Sequence, residues 1–171
     1  MATLTKIRPR PAYTISGNSF ETRVAPEGAS QSYKAGAILT LSASGRLRSV
    51  PTTTGYSAAD LVRGIAGMAI KDAGNYTNST TLVSYYVAND DTVFVGTGIS
   101  RASAAVSSLA YANIGTVAAG SFTNSGLYIA MTGKAATNSI CHIRGFFESD
   151  AVGDQYGRIY FQFTKRMRAF K

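Results

Sequence analysis

Residues 82–98 read LVSYYVANDDTVFVGTG, two runs of apolar and aromatic residues separated by the polar triplet Asn89-Asp90-Asp91. Valine, tyrosine and phenylalanine are favoured in strands, whereas clusters of Asn and Asp are favoured in turns. The stretch therefore predicts a β-hairpin in which the first run is the outgoing strand, the triplet is the turn, and TVFVGTG is the returning strand.

The residues that precede this stretch contain further strand signals. The segment 34–50, KAGAILTLSASGRLRSV, has an apolar run, a Ser44-Gly45 turn and a second apolar run, and so predicts another hairpin. Ser57-x-x-Asp60 matches a capping box and predicts one short helical turn. The following GIAGMAI, residues 64–70, is small, apolar and compatible with a strand.

After this stretch comes a segment whose secondary structure is hard to assign, followed by regularly spaced strand signals. SRASAAVSSLAYA, residues 100–112, is rich in alanine but interrupted by serines, and either a short helix or an irregular loop fits it. Short strand-like runs separated by Gly, Asn and Ser come next, which is typical of sandwiches and small barrels. In the last of them, RIYFQF, strict alternation predicts that Ile159, Phe161 and Phe163 share one face.

Composition supports an all-β protein. The chain has 171 residues, enough for one domain with a core, and 15% of them are charged against 45% hydrophobic. We expect a single small β-barrel or β-sandwich over residues 31–164, with at most one or two short helices. An extended N-terminal arm over residues 1–30 and a basic C-terminal tail over residues 165–171 complete the predicted organisation.

The two ends carry the excess charge. Residues 1–25 have four basic side chains and one acidic one, residues 158–171 have five basic and none acidic, and residues 26–157 have eight of each. The charge of the tail must therefore be met by solvent, by a partner or by another copy of the chain. The tail residues that we expect at such an interface are Lys165, Arg166, Arg168 and Lys171.

Prolines predict that the N-terminal segment is extended. Pro9, Pro11 and Pro26 each fix their own backbone and push the preceding residue toward extended geometry. The segment is either a disordered tail or an arm that orders along a partner. In the second case its contact residues are Arg8, Arg10, Tyr13, Ile15 and Phe20.

Candidate catalytic groups are sparse. The single cysteine and single histidine, Cys141 and His142, are neighbours on a predicted strand, so their side chains should point to opposite faces. Glu148, Asp150 and Asp154 could bind a calcium ion, or could form a polar loop between two strands that faces the basic tail of its own or of a neighbouring chain. We expect no catalytic residue, no metal, no cofactor and no small-molecule substrate.

The sequence also bears on location. The N-terminus lacks the apolar core of a signal peptide, and no stretch is long and apolar enough to span a membrane. We therefore expect a protein that is made in the cytoplasm and has no membrane partner.

The order of several short motifs resembles that of the capsid decoration, or cement, proteins of tailed bacteriophages. These motifs are KAGAILTLSASGRLRSV, LVRGIAGMAI, VFVGTGIS and SICHIRGFFESDAVGDQYGRIYFQF, which together span residues 34–99 and 139–163. The resemblance implies a β-barrel or β-sandwich on the outer capsid surface, commonly a homotrimer, which binds the major capsid protein and staples neighbouring capsomers. It also implies a structural virion protein that is not an enzyme.

Two other functions fit the sequence. The ten tyrosines and Asn-rich loops would suit a carbohydrate-binding or adhesion module of a virion, whose binding groove would be lined by Tyr and Asn. The basic ends would suit a nucleic-acid-binding protein, although such proteins usually concentrate charge on one face of the fold. We expect nucleic acid to be the less favoured partner.

Overall fold

A computed structural model describes residues 7–49, 64–77, 80–99, 117–119, 122–123, 128–130, 139–151, 154, 157–165 and 168–169. These residues form strands β1 (Arg10–Thr14), β2 (Thr22–Pro26), β3 (Ile38–Leu41), β4 (Leu47–Ser49), β5 (Ile65–Ala69), β6 (Leu82–Val87), β7 (Thr92–Ile99), β8 (Val117–Ala119), β9 (Phe122–Thr123), β10 (Tyr128–Ala130), β11 (Ser139–Phe146) and β12 (Arg158–Phe163). Within these ranges no helix has the length and apolar character needed to cross a bilayer. The short helical turn predicted at 57–60 and the ambiguous segment 100–112 lie outside the described residues.

The strands form two sheets, which confirms the all-β prediction. One sheet has seven strands, in the order β8-β11-β12-β7-β10-β9 with β1 also paired to β7, and the other has five, in the order β2-β6-β5-β3-β4. Strand pairing is antiparallel except between β10 and β7. Among the described strands neither sheet closes on itself, so the sandwich alternative fits and a closed barrel does not.

The main core lies between the two sheets. Side chains of the five-stranded sheet, such as Met68, pack there against the aromatic residues of β7 and β12. Phe94 contacts both Phe161 and Phe163, with ring centroids 5.7 and 5.2 Å apart. Ile159, Phe161 and Phe163 all pack in this core, so the shared face predicted for them in RIYFQF is confirmed.

A β-bulge in β5 lets this strand contribute to two cores. Leu39 of β3 pairs with Gly67, but the next residue, Thr40, pairs with Ile65, so Ala66 is an extra residue in β5. Ile65 and Met68 consequently pack in the core between the sheets, whereas Ala66 and Ala69 pack in a second hydrophobic cluster. Strand β5 is therefore buried on both of its faces.

This second cluster contains a buried carboxyl group. Glu27 is fully buried, and its Oε2 accepts hydrogen bonds from the Tyr33 hydroxyl at 2.8 Å and from the Gly74 N–H at 3.2 Å. Burial, together with the hydrogen bond to Glu27, raises the pKa of Tyr33. The segment that follows β2 is thereby attached to the second core through polar as well as apolar contacts.

Of the two predicted hairpins, the first is confirmed. Strands β3 and β4 pair through Leu41 and Leu47, and the turn between them closes with the Ser42 N–H donating to the Arg46 carbonyl at 2.9 Å. Gly45 has a φ of +75°, a conformation that favours glycine, which explains the Ser44-Gly45 signal.

The second predicted hairpin is wrong. Strand β6 belongs to the five-stranded sheet and β7 to the seven-stranded sheet, so the chain crosses from one sheet to the other through residues 88–91, which we call the arch. Both edges of β6 are occupied by β2 and β5, and those of β7 by β12 on one side and by β1 and β10 on the other. Because both edges of each strand are already paired, β6 and β7 have no edge with which to pair with each other.

The arch is held by residues from both ends of the chain. From the N-terminal side, Ser16 donates to the carboxylate of Asp91 through its backbone N–H at 2.7 Å and its hydroxyl at 2.6 Å. From the C-terminal side, Arg168 donates to the Asp90 carboxylate at 2.6 Å. Residues near both ends of the chain are therefore anchored to the arch.

The N-terminal segment is extended as predicted, but it is not a separate arm. Strand β1 pairs with β7 in one sheet, and β2 pairs with β6 in the other. The segment from residue 10 to residue 26 thus contributes a strand to each sheet. The predicted boundary near residue 30 does not coincide with the edge of the folded unit.

Candidate docking surface

The outer face of the seven-stranded sheet carries an aromatic cluster that β1 helps to build. Tyr13 pairs with Val93 and Tyr160 pairs with Val95, which places both tyrosines on the face opposite the core. Their ring centroids lie 5.5 Å apart at an interplanar angle of 74°. Phe147 extends the cluster, with its centroid 5.7 Å from that of Tyr160.

Arg158 and Asp150 fix one end of this cluster. The guanidinium carbon of Arg158 lies 3.9 Å from the centroid of the Phe147 ring, a cation–π geometry. Asp150 accepts hydrogen bonds from the Arg158 backbone N–H at 2.7 Å and from its Nε at 3.0 Å. Burial raises the pKa of Asp150, but the hydrogen bonds and charge of Arg158 outweigh it, and the pKa is lowered overall.

This pair leads to a prediction about acid stability. Folding lowers the pKa of Asp150. The ionised carboxylate therefore contributes its full stabilisation at any pH above the pKa of an Asp in the unfolded chain. This contribution is lost as the pH falls through the lowered pKa of the folded state. Asp150→Asn should therefore lower the free energy of unfolding at pH 7 by about 1–3 kcal/mol. It should also flatten the decline in stability measured by urea unfolding between about pH 5 and pH 2.

The matched control is Glu148→Gln, which neutralises an exposed carboxylate two residues away. It should change the free energy of unfolding by less than about 0.5 kcal/mol. An Asp150→Asn variant whose acid unfolding follows that of the unmodified chain would show that the ion pair contributes nothing to folding.

Of the five predicted arm residues, three lie on or beside this face. Arg10 and Tyr13 belong to β1, and Tyr13 is 44% exposed despite its aromatic contacts. Ile15 follows β1 and is 61% exposed, while its backbone N–H donates to the Asp91 carbonyl at 2.9 Å. We call Arg10, Tyr13 and Ile15 the docking surface.

The other two arm residues lie elsewhere. Phe20 is half-buried and packs edge-on against Tyr86, with ring centroids 6.0 Å apart. Arg8 forms an ion pair with Asp72 at 3.8 Å in which both side chains are about half exposed. The structure therefore separates the predicted contact residues into two groups.

The C-terminal tail differs from the expectation at Arg168. Its side chain is 5% exposed, donating from Nε to the Phe163 carbonyl at 2.9 Å and from Nη1 to Asp90. The hydrogen bond and charge of Arg168 lower the pKa of Asp90. Asp90 of the same chain therefore balances the charge of Arg168, which the composition of the tail does not predict. We remove Arg168 from the predicted interface residues. Lys165 is exposed, whereas Arg166 and Lys171 lie outside the described residues.

The Cys141 and His142 side chains lie on opposite faces of β11, as predicted. Cys141 is fully buried in the main core, and burial raises the pKa of its thiol to about 12. His142 is half-buried, and its pKa is lowered by burial and by the nearby charges of Arg144 and Arg168. This geometry does not bring a nucleophile and a base together.

Two carboxylates of the acidic loop have partners close by in the chain. Asp150 binds Arg158, and Asp154 accepts a hydrogen bond from the Ala151 N–H at 2.9 Å. Over the described ranges, no three His, Cys, Asp or Glu side chains are grouped so that they could hold a metal ion.

The chain matches no protein-family profile, no curated protein and no solved structure.

Proposed function

We propose that this chain is a structural, non-enzymatic virion protein that decorates and stabilises the outer surface of a phage capsid. The observation that carries the proposal is the docking surface, in which Tyr13 and Ile15 are strongly exposed although both are large and apolar. Arg10 adds a cationic group beside them. Exposed apolar anchors next to arginine are typical of protein–protein contact sites.

The way in which the surface is held supports docking without folding on binding. Tyr13 is fixed by sheet pairing and by Tyr160, and Ile15 is fixed through its backbone bond to the arch. A preformed surface loses little conformational entropy when a partner binds, so more of its contact energy remains as affinity. We therefore propose that the docking surface acts as a rigid contact face, and not as an arm that becomes ordered on binding.

In this proposal the partners are the major capsid protein and other copies of the chain, most simply as a homotrimer. Many identical contacts over a shell act multivalently, so a modest affinity at each site is sufficient. Lys165, which is exposed, could meet acidic groups of a capsid or of a neighbouring copy. Such exposed pairs add only about 0–1 kcal/mol each, so the apolar side chains must supply most of the affinity.

Carbohydrate binding is a second candidate, which the exposed aromatic cluster favours. Sugar rings stack on flat aromatic faces, and Tyr13 is accessible to such a ligand. The rings of Tyr13 and Tyr160 are inclined by 74°, and those of Phe147 and Tyr160 by 40°, so they form no coplanar platform. This geometry places carbohydrate binding behind protein docking.

The proposal is tested by co-sedimentation of the purified chain with expanded, empty tailed-phage capsids. Ile15→Ser should reduce capsid binding about tenfold or more because it removes an exposed apolar anchor. Leu82→Ser is the matched control, since Leu82 is 62% exposed, nearly the same as Ile15, but lies on β6 away from the docking surface.

Equal binding by the two serine variants would show that Ile15 is not a capsid contact. A chain that ignores capsids but retards DNA at low salt would replace the proposal with nucleic-acid binding. A chain that is instead retained on a polysaccharide column and released by free sugar would favour the carbohydrate candidate.

A further inference from the structure

A groove of about 470 Å³ opens beside the docking surface. It lies between the N-terminal segment on one side and the ends of β5 and β6 on the other. Its volume is within the range of sites that enclose a small ligand or a few residues of a peptide. The lining residues that matter for its chemistry are Arg8, Arg10, Phe20, Met68 and Tyr86.

The wall of the groove is apolar. Phe20 and Tyr86 meet edge-on at an interplanar angle of 77°, and both line the groove, so an inserted ring would pack against aromatic side chains. Met68 is fully buried behind them in the main core, so its methyl group reports on a ring inserted into the groove without being exposed itself. The groove is therefore suited to an aromatic side chain.

The rim of the groove is basic. Arg8 and Arg10 line it, and none of the lining residues that the structure describes is acidic. Asp72 lies at its edge, where it accepts a hydrogen bond from the Ala35 N–H at 2.8 Å. The ion pair of Arg8 with Asp72 is long, at 3.8 Å, and half-exposed, so the guanidinium can exchange this partner for another carboxylate at little cost. An incoming group with negative charge beside its apolar part would match this rim.

The backbone of the groove does not favour strand addition. Pro9 and Pro11 line it, and proline has no N–H to offer to an added strand. Recognition must therefore come mainly from an inserted side chain and from charge, rather than from a ladder of backbone hydrogen bonds.

We propose that this groove binds a short acidic peptide segment of a partner protein through an inserted aromatic side chain flanked by carboxylates. The inference rests on the proposed function only for the identity of the partner, because a capsid protein docked on the docking surface would lie next to the groove. The chemistry of recognition follows from the groove itself.

The test uses the full chain labelled with ¹³C at its methionine methyl groups, with the Met68 signal assigned from a Met68→Leu variant. The probes are the blocked tripeptides acetyl-Glu-Phe-Glu-amide and acetyl-Lys-Phe-Lys-amide. The acidic peptide should shift the Met68 signal in a saturable manner, and the basic peptide should bind at least tenfold more weakly. Arg8→Glu should weaken the acidic peptide about tenfold, whereas Arg46→Glu, at an exposed position in the β3–β4 turn, should not.

Several outcomes would overturn the inference. They are an unmoved Met68 signal, equal binding of both peptides, or equal effects of Arg8→Glu and Arg46→Glu. Ala35→Phe gives a second check, because Ala35 lines the groove and a larger side chain there should block the peptide. A Met68 signal that moves on deletion of residues 1–6, with tighter peptide binding, would also overturn it, because the chain would then supply its own occupant.

Capsid co-sedimentation separates this inference from the proposed function. Peptide binding by a chain that does not sediment with capsids supports the groove and removes the capsid as the partner. The opposite result is a chain that binds neither peptide but sediments with capsids, and that still does so as the Arg8→Glu variant. This result supports the docking surface and overturns the inference about the groove.

Discussion

Gly67→Ala is expected to lower the free energy of unfolding by about 3 kcal/mol or more, enough to leave much of the protein unfolded. A Cβ at this position would overlap the carbonyl oxygen of Tyr86 and lie 2.8 Å from its carbonyl carbon. Both obstacles are backbone atoms of the neighbouring strand β6, so no side-chain rotation can relieve the clash. The overlap occurs at the bulge that gives β5 its place in both cores.

The matched control for this substitution is Gly145→Ala. Gly145 also lies in a strand, β11, but a Cβ there would meet nothing within 4 Å. Its replacement should change stability by less than about 1 kcal/mol. Guanidinium unfolding followed by circular dichroism compares the two variants. A Gly67→Ala variant as stable as Gly145→Ala would mean that β5 and β6 do not approach as closely as the structure has them.

Arg168→Ala should destabilise the fold by about 2–4 kcal/mol. The substitution removes the donor to the Phe163 carbonyl and the cation that holds Asp90 in the arch. The backbone of the same segment bridges to Ile65 of β5, and the Ala169 N–H donates to the Ile65 carbonyl at 2.8 Å. Arg168 therefore joins the last strand, the arch and the five-stranded sheet.

Two further variants separate charge from geometry in this prediction. Lys165→Ala removes an exposed basic residue three positions away and should cost less than about 0.5 kcal/mol. Arg168→Lys keeps the charge but cannot reproduce the planar fork of donors, so it should recover only part of the loss. Thermal unfolding and hydrogen exchange at the arch measure these effects. Equal stability of Arg168→Ala and Lys165→Ala would show that the buried guanidinium does not hold the arch.

Local sequence signals predicted the elements whose contacts are local. The β3–β4 hairpin follows from a turn glycine between two apolar runs, and β12 follows from strict alternation of apolar residues. The opposite orientation of Cys141 and His142 follows from the same period of two. In each case the pattern depends only on backbone geometry within a few residues.

The docking surface was predictable only in part. Tyr13 and Ile15 were expected contact residues because large apolar side chains stood in a proline-rich segment. Their partners in the fold, Tyr160 and Asp91, lie 147 and 76 residues away along the chain, and no local pattern connects them. Phe147 and Arg158 complete the aromatic cluster. The sequence predicted only that they lie in a strand or a loop, and gave no indication that they contact each other.

Sequence alone determined that the chain is all-β, where several strands lie and which faces of them are apolar, because side-chain period and turn chemistry act over short distances. Tertiary structure decided what residues 82–98 do: two runs whose sequence predicts a hairpin are interior strands of different sheets. It also decided that Arg168 is buried against Asp90 rather than free at an interface. These outcomes depend on which distant strands occupy each edge and which charges folding brings together, and a short stretch of sequence contains neither.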